Sequence, residues 1–234
     1  MTPDRGPVTE TRFGQIYRDG QVGPPLGEWS RCGSVRCPIG YRDKRPGYVE
    51  RVNKAFSEVA LVDSRPLWVN RFARTAHELR SVFPQASIEH VGSTSVPGLA
   101  SKDTVDVAVG VPSLSHALDD GHIDLLRALG FEYISASFVD DPDHAFLHRI
   151  VEDRRTDHVH VVKLGSSVWI DYLLFRDYLR ATPEALSRYE QAKRELAARY
   201  AKQRDRYVSE KQPIVEALMT EARSWQSGGG GASQ

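Results

Sequence analysis

The sequence predicts an α/β (α+β) fold in which helices flank a mixed β-sheet and further helices follow at the C-terminal end. Residues 88–109 predict a strand, a Gly/Ser/Pro-rich turn that contains a lysine, and a second strand. Three further strand-like segments lie downstream, and the apolar residues around and after them recur at helical spacing. Because strands and helices share one stretch of chain, we expect helices to pack on a single sheet.

Five helices are predicted from periodicity and end signals. After Pro66, apolar residues recur at helical spacing and give a helix of about four turns that ends near Pro84. Ser113 is expected to cap a second helix, which Gly130 ends. The C-terminal part predicts three more, with Thr182 as the N-cap of the middle one: 167–180, 183 to about 202, and 206–225.

Three strands are predicted in the middle of the chain, separated by two polar loops. The loops are 140–144 and 152–157, where charged residues cluster. The strands between and around them are 131–134, 145–150 and 158–163. Together with the two strands of the 88–109 segment, they complete the expected mixed sheet.

The composition argues against several classes of protein. The chain has 234 residues, of which 40% are hydrophobic, so it can bury a good core as one domain with an appended segment. Lysine and arginine number 31, as do aspartate and glutamate, and this balance gives no strong nucleic-acid signal. No apolar run approaches the roughly 18 residues that cross a bilayer, and residues 1–18 lack a secretory signal, so we expect no membrane partner and a cytoplasmic location.

The chain divides into three regions. Residues 1–58 hold many glycines, prolines and arginines and are expected to form a partly ordered N-terminal extension. Residues 59–225 form the domain, and the Gly-rich tail 226–234 is expected to be flexible. Cys32 and Cys37 lie in the extension with no histidine near them in sequence, which favours two reduced thiols over a zinc site.

The second strand of the 88–109 segment displays one carboxylate. Val105, Val107 and Val109 alternate with Asp106 and Ala108, so that the valines enter a core while Asp106 faces a cleft. A carboxylate there can hold the Mg²⁺ that bridges the phosphates of a nucleotide. The alternative is a structural aspartate that accepts hydrogen bonds from turn amides.

The turn before that strand has the residues of a phosphate site. Backbone N–H groups and hydroxyls of Gly92, Ser93 and Thr94 can hold phosphate oxygens, and Lys102 can offset their charge. In the alternative interpretation, Ser93 and Thr94 only cap the segment that follows, and Lys102 is a solvated surface lysine.

Two histidines alternate with valines on the last predicted strand. If Val159 and Val161 face the core, His158 and His160 project from the opposite face and can point into the cleft of Asp106. An imidazole there can bind a transition metal, act as a general base or hydrogen-bond a phosphate. Both are candidate metal ligands and His160 is a candidate base. The alternative is a pair of strand histidines satisfied by backbone or carboxylate partners.

Cations on the predicted C-terminal helices could close over a phosphate chain from the far side of the cleft. Tyr189 with Lys193, and Tyr207 with Lys211, are i, i+4 pairs, so each pair occupies one helical face. Arg176 lies on the preceding helix. All three cations are candidate nucleotide ligands, although exposed helices also carry lysines that bind no ligand.

The run 89–102 resembles the signature of the GrpB family, whose members belong to the nucleotidyltransferase fold superfamily. The resemblance continues, in the family's order, through three further motifs at 158–162, 174–180 and 193–200. It spans residues 59 to 225. It implies a nucleotidyltransferase-like sheet with the active cleft between that sheet and the C-terminal helices.

The resemblance implies a transferase or ligase that uses a nucleoside triphosphate, ATP before the others, with Mg²⁺ or Mn²⁺. It would transfer the nucleotidyl group to a small-molecule substrate or activate a carboxylate, with a metal at Asp106, charge stabilisation from Lys102 and His160 as base. The superfamily normally has a second carboxylate where this chain has Ala108. Two alternatives stay open: a non-catalytic nucleotide-sensing or interaction module, and an amide-forming enzyme that does not use nucleotide.

Overall fold

A computed structural model describes residues 29–32, 35–38, 58–135, 137–138 and 140–230. Within these residues, a five-stranded sheet carries the domain and a two-stranded hairpin precedes it. The strands are β1 (Trp29–Cys32), β2 (Val35–Pro38), β3 (Ser87–Val91), β4 (Val105–Val111), β5 (Phe131–Tyr133), β6 (His144–Val151) and β7 (Arg154–Lys163). The α-helices are α1 (Leu67–Val82), α2 (Leu114–Ala117), α3 (Asp120–Ala128), α4 (Ser167–Ala181), α5 (Pro183–Arg199) and α6 (Arg204–Trp225).

The large sheet is mixed, as the sequence predicts. Its strands are ordered β3-β4-β7-β6-β5, and β4 pairs with β7 in parallel while the other neighbouring pairs are antiparallel. The register places Asp106 beside His158 and Ala108 beside His160. Because side chains of paired residues project from the same face of a sheet, the acid and both histidines share one face.

The two faces of the sheet are covered by different helices. Helices α1, α2 and α3 pack on one face, where the valines of β4 meet apolar side chains such as Trp68 and Leu126. Helices α4, α5 and α6 cover the face of Asp106, with a second core that includes Tyr189 and Met219. Each large apolar side chain that is fully buried contributes about 1.5–3 kcal/mol. Both layers of helices are therefore fixed to the sheet by apolar burial.

The helix predicted from Ser113 to Gly130 is in fact two helices. Asp119 begins the second, α3, because its carboxylate accepts a hydrogen bond from the backbone N–H of His122 at 2.9 Å. Such a cap satisfies an N–H group that has no partner within the helix, which favours a new start there. Ser113 and Thr182 occupy the predicted N-cap positions, but neither side chain accepts a capping hydrogen bond from a backbone N–H of its helix.

The strand predicted to start at residue 158 begins earlier, at Arg154. Strands β6 and β7 form a tight hairpin in which Glu152 and Asp153 take positive φ values of 49° and 58°. Two central residues with positive φ match the right-handed twist of paired strands. The sequence predicts a polar loop instead, since neither residue is the Asn or Gly that usually marks such a turn.

The structure describes short parts of the predicted N-terminal extension and of the predicted C-terminal tail. Strands β1 and β2 pair in antiparallel fashion, with Cys37 opposite Ser30, and this hairpin was not predicted. Most of the extension, and the cysteine side chains with it, lies outside the described residues. At the other end, a wide turn over Gln226–Gly230 continues the chain into the predicted tail. In the described ranges, no helix is both long and apolar enough to cross a membrane.

Candidate functional site

A cavity lies between the Asp106 face of the sheet and the C-terminal helices. Its lining comes from the turn after β3, from the segment before β4, from strands β4, β6 and β7 and from helices α4, α5 and α6. Eight of the predicted site residues are among the lining residues: Gly92, Ser93, Lys102, Asp106, His158, His160, Lys193 and Lys211. The structure therefore brings together residues that the sequence holds far apart, and their chemical roles stay predictions.

Gly92 lies directly against the carboxylate of Asp106. Strand β3 ends at Val91, and Gly92 then takes a φ of +67°, which L side chains rarely adopt. A Cβ atom at Gly92 would lie 2.3 Å from Oδ2 of Asp106. Glycine is needed here for the backbone conformation and for the close approach of the turn to the carboxylate. The short 3₁₀ turn Ser93–Ser95 follows at once.

Both ring nitrogens of His158 are held by protein groups. Nδ1 lies 2.9 Å from Oδ1 of Asp106, and a guanidinium N–H of Arg155 donates to Nε2 at 3.2 Å. In this arrangement the imidazole offers no lone pair to a metal ion. The two contacts favour the alternative of a strand histidine bonded to a carboxylate, and the metal role of His158 stays a prediction.

His160 is held by a second histidine, which the sequence placed in a loop. Nδ1 of His160 lies 2.9 Å from Nε2 of His144, whose ring stacks on Phe138 with 3.8 Å between centroids. Burial lowers the pKa of His144 well below its ordinary value, and the neighbouring His160 acts in the same direction. His144 is therefore neutral near pH 7. It fixes one nitrogen of His160 while the ring of His160 lines the cavity.

The two predicted helical lysines reach the cavity from α5 and α6, and both are buried. Nζ of Lys193 donates to the backbone carbonyl of Ala100 at 2.5 Å and lies 5.1 Å from the ring centroid of Tyr189. Nζ of Lys211 lies 5.6 Å from the ring centroid of Tyr207. The predicted i, i+4 pairs thus make cation–π contacts. Burial, together with Lys211, lowers the pKa of Lys193 well below its ordinary value.

The cavity has more positive than negative groups. Among the described lining residues, Asp106 is the single carboxylate, whereas the cations are Lys102, Lys193, Arg204 and Lys211. Burial raises the pKa of Asp106, although His160, Lys102 and Lys211 pull it the other way. A cavity with this balance is suited to a ligand that brings several negative charges.

Thr94 and Arg176 are the two predicted ligands that the structure does not place on the cavity wall. The buried hydroxyl of Thr94 lies 3.0 Å from Nε2 of His90. Arg176 donates to Glu89 at 2.7 Å, to Asp177 at 2.7 Å and to the carbonyl of His90 at 3.2 Å. A half-buried guanidinium needs such partners because unpaired charge is costly to bury. Both side chains therefore contact residues of β3, the strand that leads into the turn.

The donor set of the cavity fits one metal ion better than two. In the parts of the chain that the structure describes, no three His, Cys, Asp or Glu side chains are grouped so as to hold a metal ion. The place of a second acid is taken by Ala108, which is fully buried in the core beneath α4–α6. Mg²⁺ often takes one carboxylate and completes its shell with phosphate oxygens and water. Asp106 fits the role of that carboxylate. Two metal ions would need a further acid, and Asp106 is the single carboxylate among the described lining residues.

Several lining residues were not predicted: Ser101, Thr104, Phe146, Tyr172, Arg204 and Val208. The sequence held a signal for two of them, Arg204 and Val208. Arg204, Val208 and Lys211 are spaced i, i+4, i+7 and so share one face of α6 with Tyr207. Given a functional Lys211, this spacing alone would have pointed to Arg204.

The chain is similar to a family of proteins and to one solved structure across most of its length. The family model described as GrpB protein matches residues 58–221. A UPF0157 protein of Streptomyces coelicolor is 34% identical over 167 residues, which are 70% of this chain and 84% of that protein. The crystal structure of the conserved protein GrpB from Enterococcus faecalis has 28% identity and a TM-score of 0.62, and the match covers 71% of this chain and 99% of that one.

A longer protein shares the same region. A dephospho-CoA kinase of Mycolicibacterium paratuberculosis is 30% identical over 196 residues, which are 73% of this chain but 47% of that protein. Its name describes the whole of a chain of which this sequence matches about half, and no Gly-Lys pair of a P-loop occurs here.

The family model and the Streptomyces relative agree with the resemblance in the motifs, and the chain belongs to the GrpB family.

Proposed function

We propose that this protein binds a nucleoside triphosphate, ATP before the others, together with Mg²⁺ or Mn²⁺ in the cavity. It transfers the nucleotidyl group to a small molecule or uses it to activate a carboxylate. The observation that carries the proposal is the excess of cations over carboxylates around a Gly-Ser turn. A lining with more cations than carboxylates favours a polyanionic ligand, and a triphosphate supplies both charge and length.

The turn and the cations have complementary tasks in this proposal. Backbone N–H groups and the hydroxyl at Gly92 and Ser93 bind phosphate oxygens, and Asp106 beside them would hold the metal ion. When bound, such an ion supplies charge neutralisation at the phosphates. Lys193 and Lys211 stabilise the charge that develops on the leaving pyrophosphate from the opposite side of the cavity.

His160 is the proposed general base for the acceptor. Its Nδ1 is bonded to the neutral His144, so exchange of a proton with the acceptor would use Nε2. The bond that forms joins the acceptor oxygen to the α-phosphorus, and the bond that breaks releases pyrophosphate. A hydroxyl acceptor passes its proton to His160, whereas an ionised carboxylate acceptor has no proton to transfer.

A nucleotide-sensing module without catalysis is the second candidate. The observation that favours it is Ala108, which is fully buried where the superfamily normally places a second metal-binding acid. With one carboxylate, a nucleotide could be bound without being turned over. An amide-forming enzyme that does not use nucleotide is the remaining alternative.

Titration calorimetry with ATP, GTP and CTP in the presence of Mg²⁺, followed by an assay for pyrophosphate release, tests the proposal. Asp106→Asn should abolish metal-dependent binding, because the variant keeps the shape of the side chain but loses its charge. Asp124→Asn is the matched control, since it removes an exposed carboxylate on α3, on the other face of the sheet.

The outcomes separate the candidates. Binding with pyrophosphate release in the presence of an acceptor supports nucleotidyl transfer. Binding without release favours the sensing module. No binding of any nucleotide, or equal binding by wild type and Asp106→Asn, contradicts the proposal.

A further inference from the structure

We propose that Arg155 is a positioning residue for the cavity: it fixes the proton of His158 on Nδ1, so that His158 donates to Asp106 and holds that carboxylate in one orientation. The three side chains form a chain of contacts at 3.2 Å and 2.9 Å. What the held carboxylate does depends on the function proposed above. The position of the proton on His158 does not depend on that function.

The placement of the proton follows from the donors and acceptors present. A guanidinium group has only N–H donors and is charged at all accessible pH values. The nitrogen of His158 that faces Arg155 must therefore be the acceptor, which means that Nε2 carries no proton. A neutral imidazole with a bare Nε2 has its proton on Nδ1, and this N–H points at Oδ1 of Asp106.

A β-bulge puts Arg155 on the face of the sheet where it can act. On a regular strand, residues 155 and 158 would project from opposite faces. Here Asp157 pairs with Arg149 and Arg155 pairs with Ile150, so one extra residue of β7 lies between two consecutive pairs. An extra residue shifts the alternation by one position, and the side chain of Arg155 joins His158 on the cavity face.

Arg155 is also fixed by its surroundings. It is buried, and its backbone carbonyl accepts a hydrogen bond from the hydroxyl of Thr104 at 2.7 Å. Thr104 directly precedes β4, the strand of Asp106. The backbone of Arg155 therefore connects β7 to the start of β4, while its side chain contacts His158 within β7, which limits how far the three groups can move apart.

The orientation of the carboxylate has a consequence for ligand binding. Oδ1 of Asp106 is occupied by His158, whereas Oδ2 is the oxygen beside Gly92 and the turn. If His158 instead carried its proton on Nε2, its Nδ1 would present a lone pair to the carboxylate and repel it. The carboxylate would then be free to rotate away from the turn. Outer partners of this kind commonly change metal affinity or activity by roughly 10–100-fold.

Nitrogen NMR on the ¹⁵N-labelled full chain tests the proton position directly. The His158 signals are identified by their loss in His158→Asn. We expect a protonated Nδ1 and a bare Nε2 in the wild type. Arg155→Met should convert these signals to a mixture of tautomers, and Arg154→Met, which removes the exposed neighbouring arginine, should not. A protonated Nε2 in the wild type, or an unchanged His158 spectrum in Arg155→Met, overturns the proposal.

A second measurement compares two replacements of His158 through the affinity for Mn²⁺ with ATP. The amide of His158→Asn can donate from the place of Nδ1, whereas that of His158→Gln reaches the place of Nε2. We expect the affinity of His158→Gln to be roughly tenfold below that of His158→Asn. Equal affinities of the two variants overturn the positioning role.

The two proposals fail in different ways. If the wild type binds no Mn²⁺ with ATP, the proposed function fails, and the NMR spectrum still decides the tautomer. If the wild type binds Mn²⁺ with ATP but Nε2 is protonated, the positioning role fails and the proposed function stands. If Arg155→Met does not fold, the wild-type spectrum still decides the position of the proton, and the two His158 variants still decide the positioning role.

Discussion

Ala108 lies directly opposite His160 where β4 and β7 run parallel, and it is fully buried against the helices that cover this face. The residue is on the same face as Asp106, as alternation along a strand requires. It is not open to the cavity, however, since it is not among the lining residues. The chain therefore uses this position for packing, where the resemblance to nucleotidyltransferases led us to look for a second acid.

Introducing an acid at this position should destabilise the protein. In Ala108→Asp, a carboxylate would lie in the apolar core, and a buried charge without full compensation costs about 3 kcal/mol or more. Chemical denaturation measures the loss, and Ala108→Asn is the control for the added volume. A variant that stays as stable as the wild type and gains affinity for Mn²⁺ would show that a second acid fits the cavity after all.

Substitution of Gly92 should damage the site through both strain and contact. Gly92→Ala forces a Cβ atom towards Oδ2 of Asp106 and places alanine at a backbone conformation that costs about 1–3 kcal/mol. Gly165→Ala is the matched control, since Gly165 also has positive φ but a Cβ there would meet no atom within 4 Å. We expect thermal destabilisation in both variants and loss of nucleotide binding only in Gly92→Ala. Equal binding by the two would contradict the close contact.

Replacing Lys193 with an uncharged side chain should stabilise the empty protein while abolishing binding. The pKa of Lys193 lies below its ordinary 10.5 in the folded chain, so the unfolded chain binds more protons between the two values. The cost of burying the charge is therefore largest at low pH and vanishes as the pH rises towards about 10.4. We expect Lys193→Met to raise the free energy of unfolding by about 1 kcal/mol or more at pH 7.

Denaturation across a pH series checks this prediction. The gain in Lys193→Met should shrink as the pH increases, and the exposed Lys202→Met should show no such trend. A destabilised variant, or a gain that grows with pH, would contradict the assignment of Lys193 as a buried and unfavourable charge.

Acid should weaken the fold through His90. Burial is the main cause that lowers the pKa of His90 from 6.5 to about 4, and its ring stacks on Phe72 at 4.7 Å. Because His90 takes up a proton at a lower pH in the folded form than in the unfolded form, stability is lost as the pH falls from 6.5 towards 4. The loss amounts to at most about 3 kcal/mol.

His90→Gln tests the acid effect, because glutamine can still hydrogen-bond to Thr94 but does not titrate in this range. The variant should lose less stability than the wild type between pH 6.5 and 4. His77→Gln, an exposed histidine on α1, is the control and should behave as the wild type does. Parallel pH curves for wild type and His90→Gln would exclude His90 as the source.

Alternation was enough to predict the face of the sheet that bears the site. The valines around Asp106, and those around His158 and His160, repeat with a period of two, which is a local property of the sequence. The helical pairs of Lys193 and Lys211 with their tyrosines were predictable for the same reason. In each case the shared face follows from residues two or four positions apart. The expectation that these faces meet around one cleft came from the resemblance to a family.

The parts that could not be predicted depend on contacts between distant residues. Arg155 reaches His158 only because of a bulge in β7, and a bulge has no reliable mark in the sequence. Arg176 was a candidate ligand because it lies on the helix before the two lysines, yet its guanidinium donates to Glu89, which is far away in sequence. The two partners of His158 were not predicted either, since Asp106 lies on another strand and Arg155 reaches the ring only through the bulge.

The excess positive charge of the cavity makes thermal stabilisation a way to search for an anionic ligand without knowing the reaction. A ligand that binds only the folded form stabilises it by about 2.7 kcal/mol when present at 100 times its Kd. For a chain of this size, that corresponds to a rise in melting temperature of roughly 5–10 °C. Lys211 lowers the pKa of Lys193 by charge repulsion, so an anion bound near both should stabilise the fold, and melting curves recorded against a library of phosphates and carboxylates would rank the candidates directly.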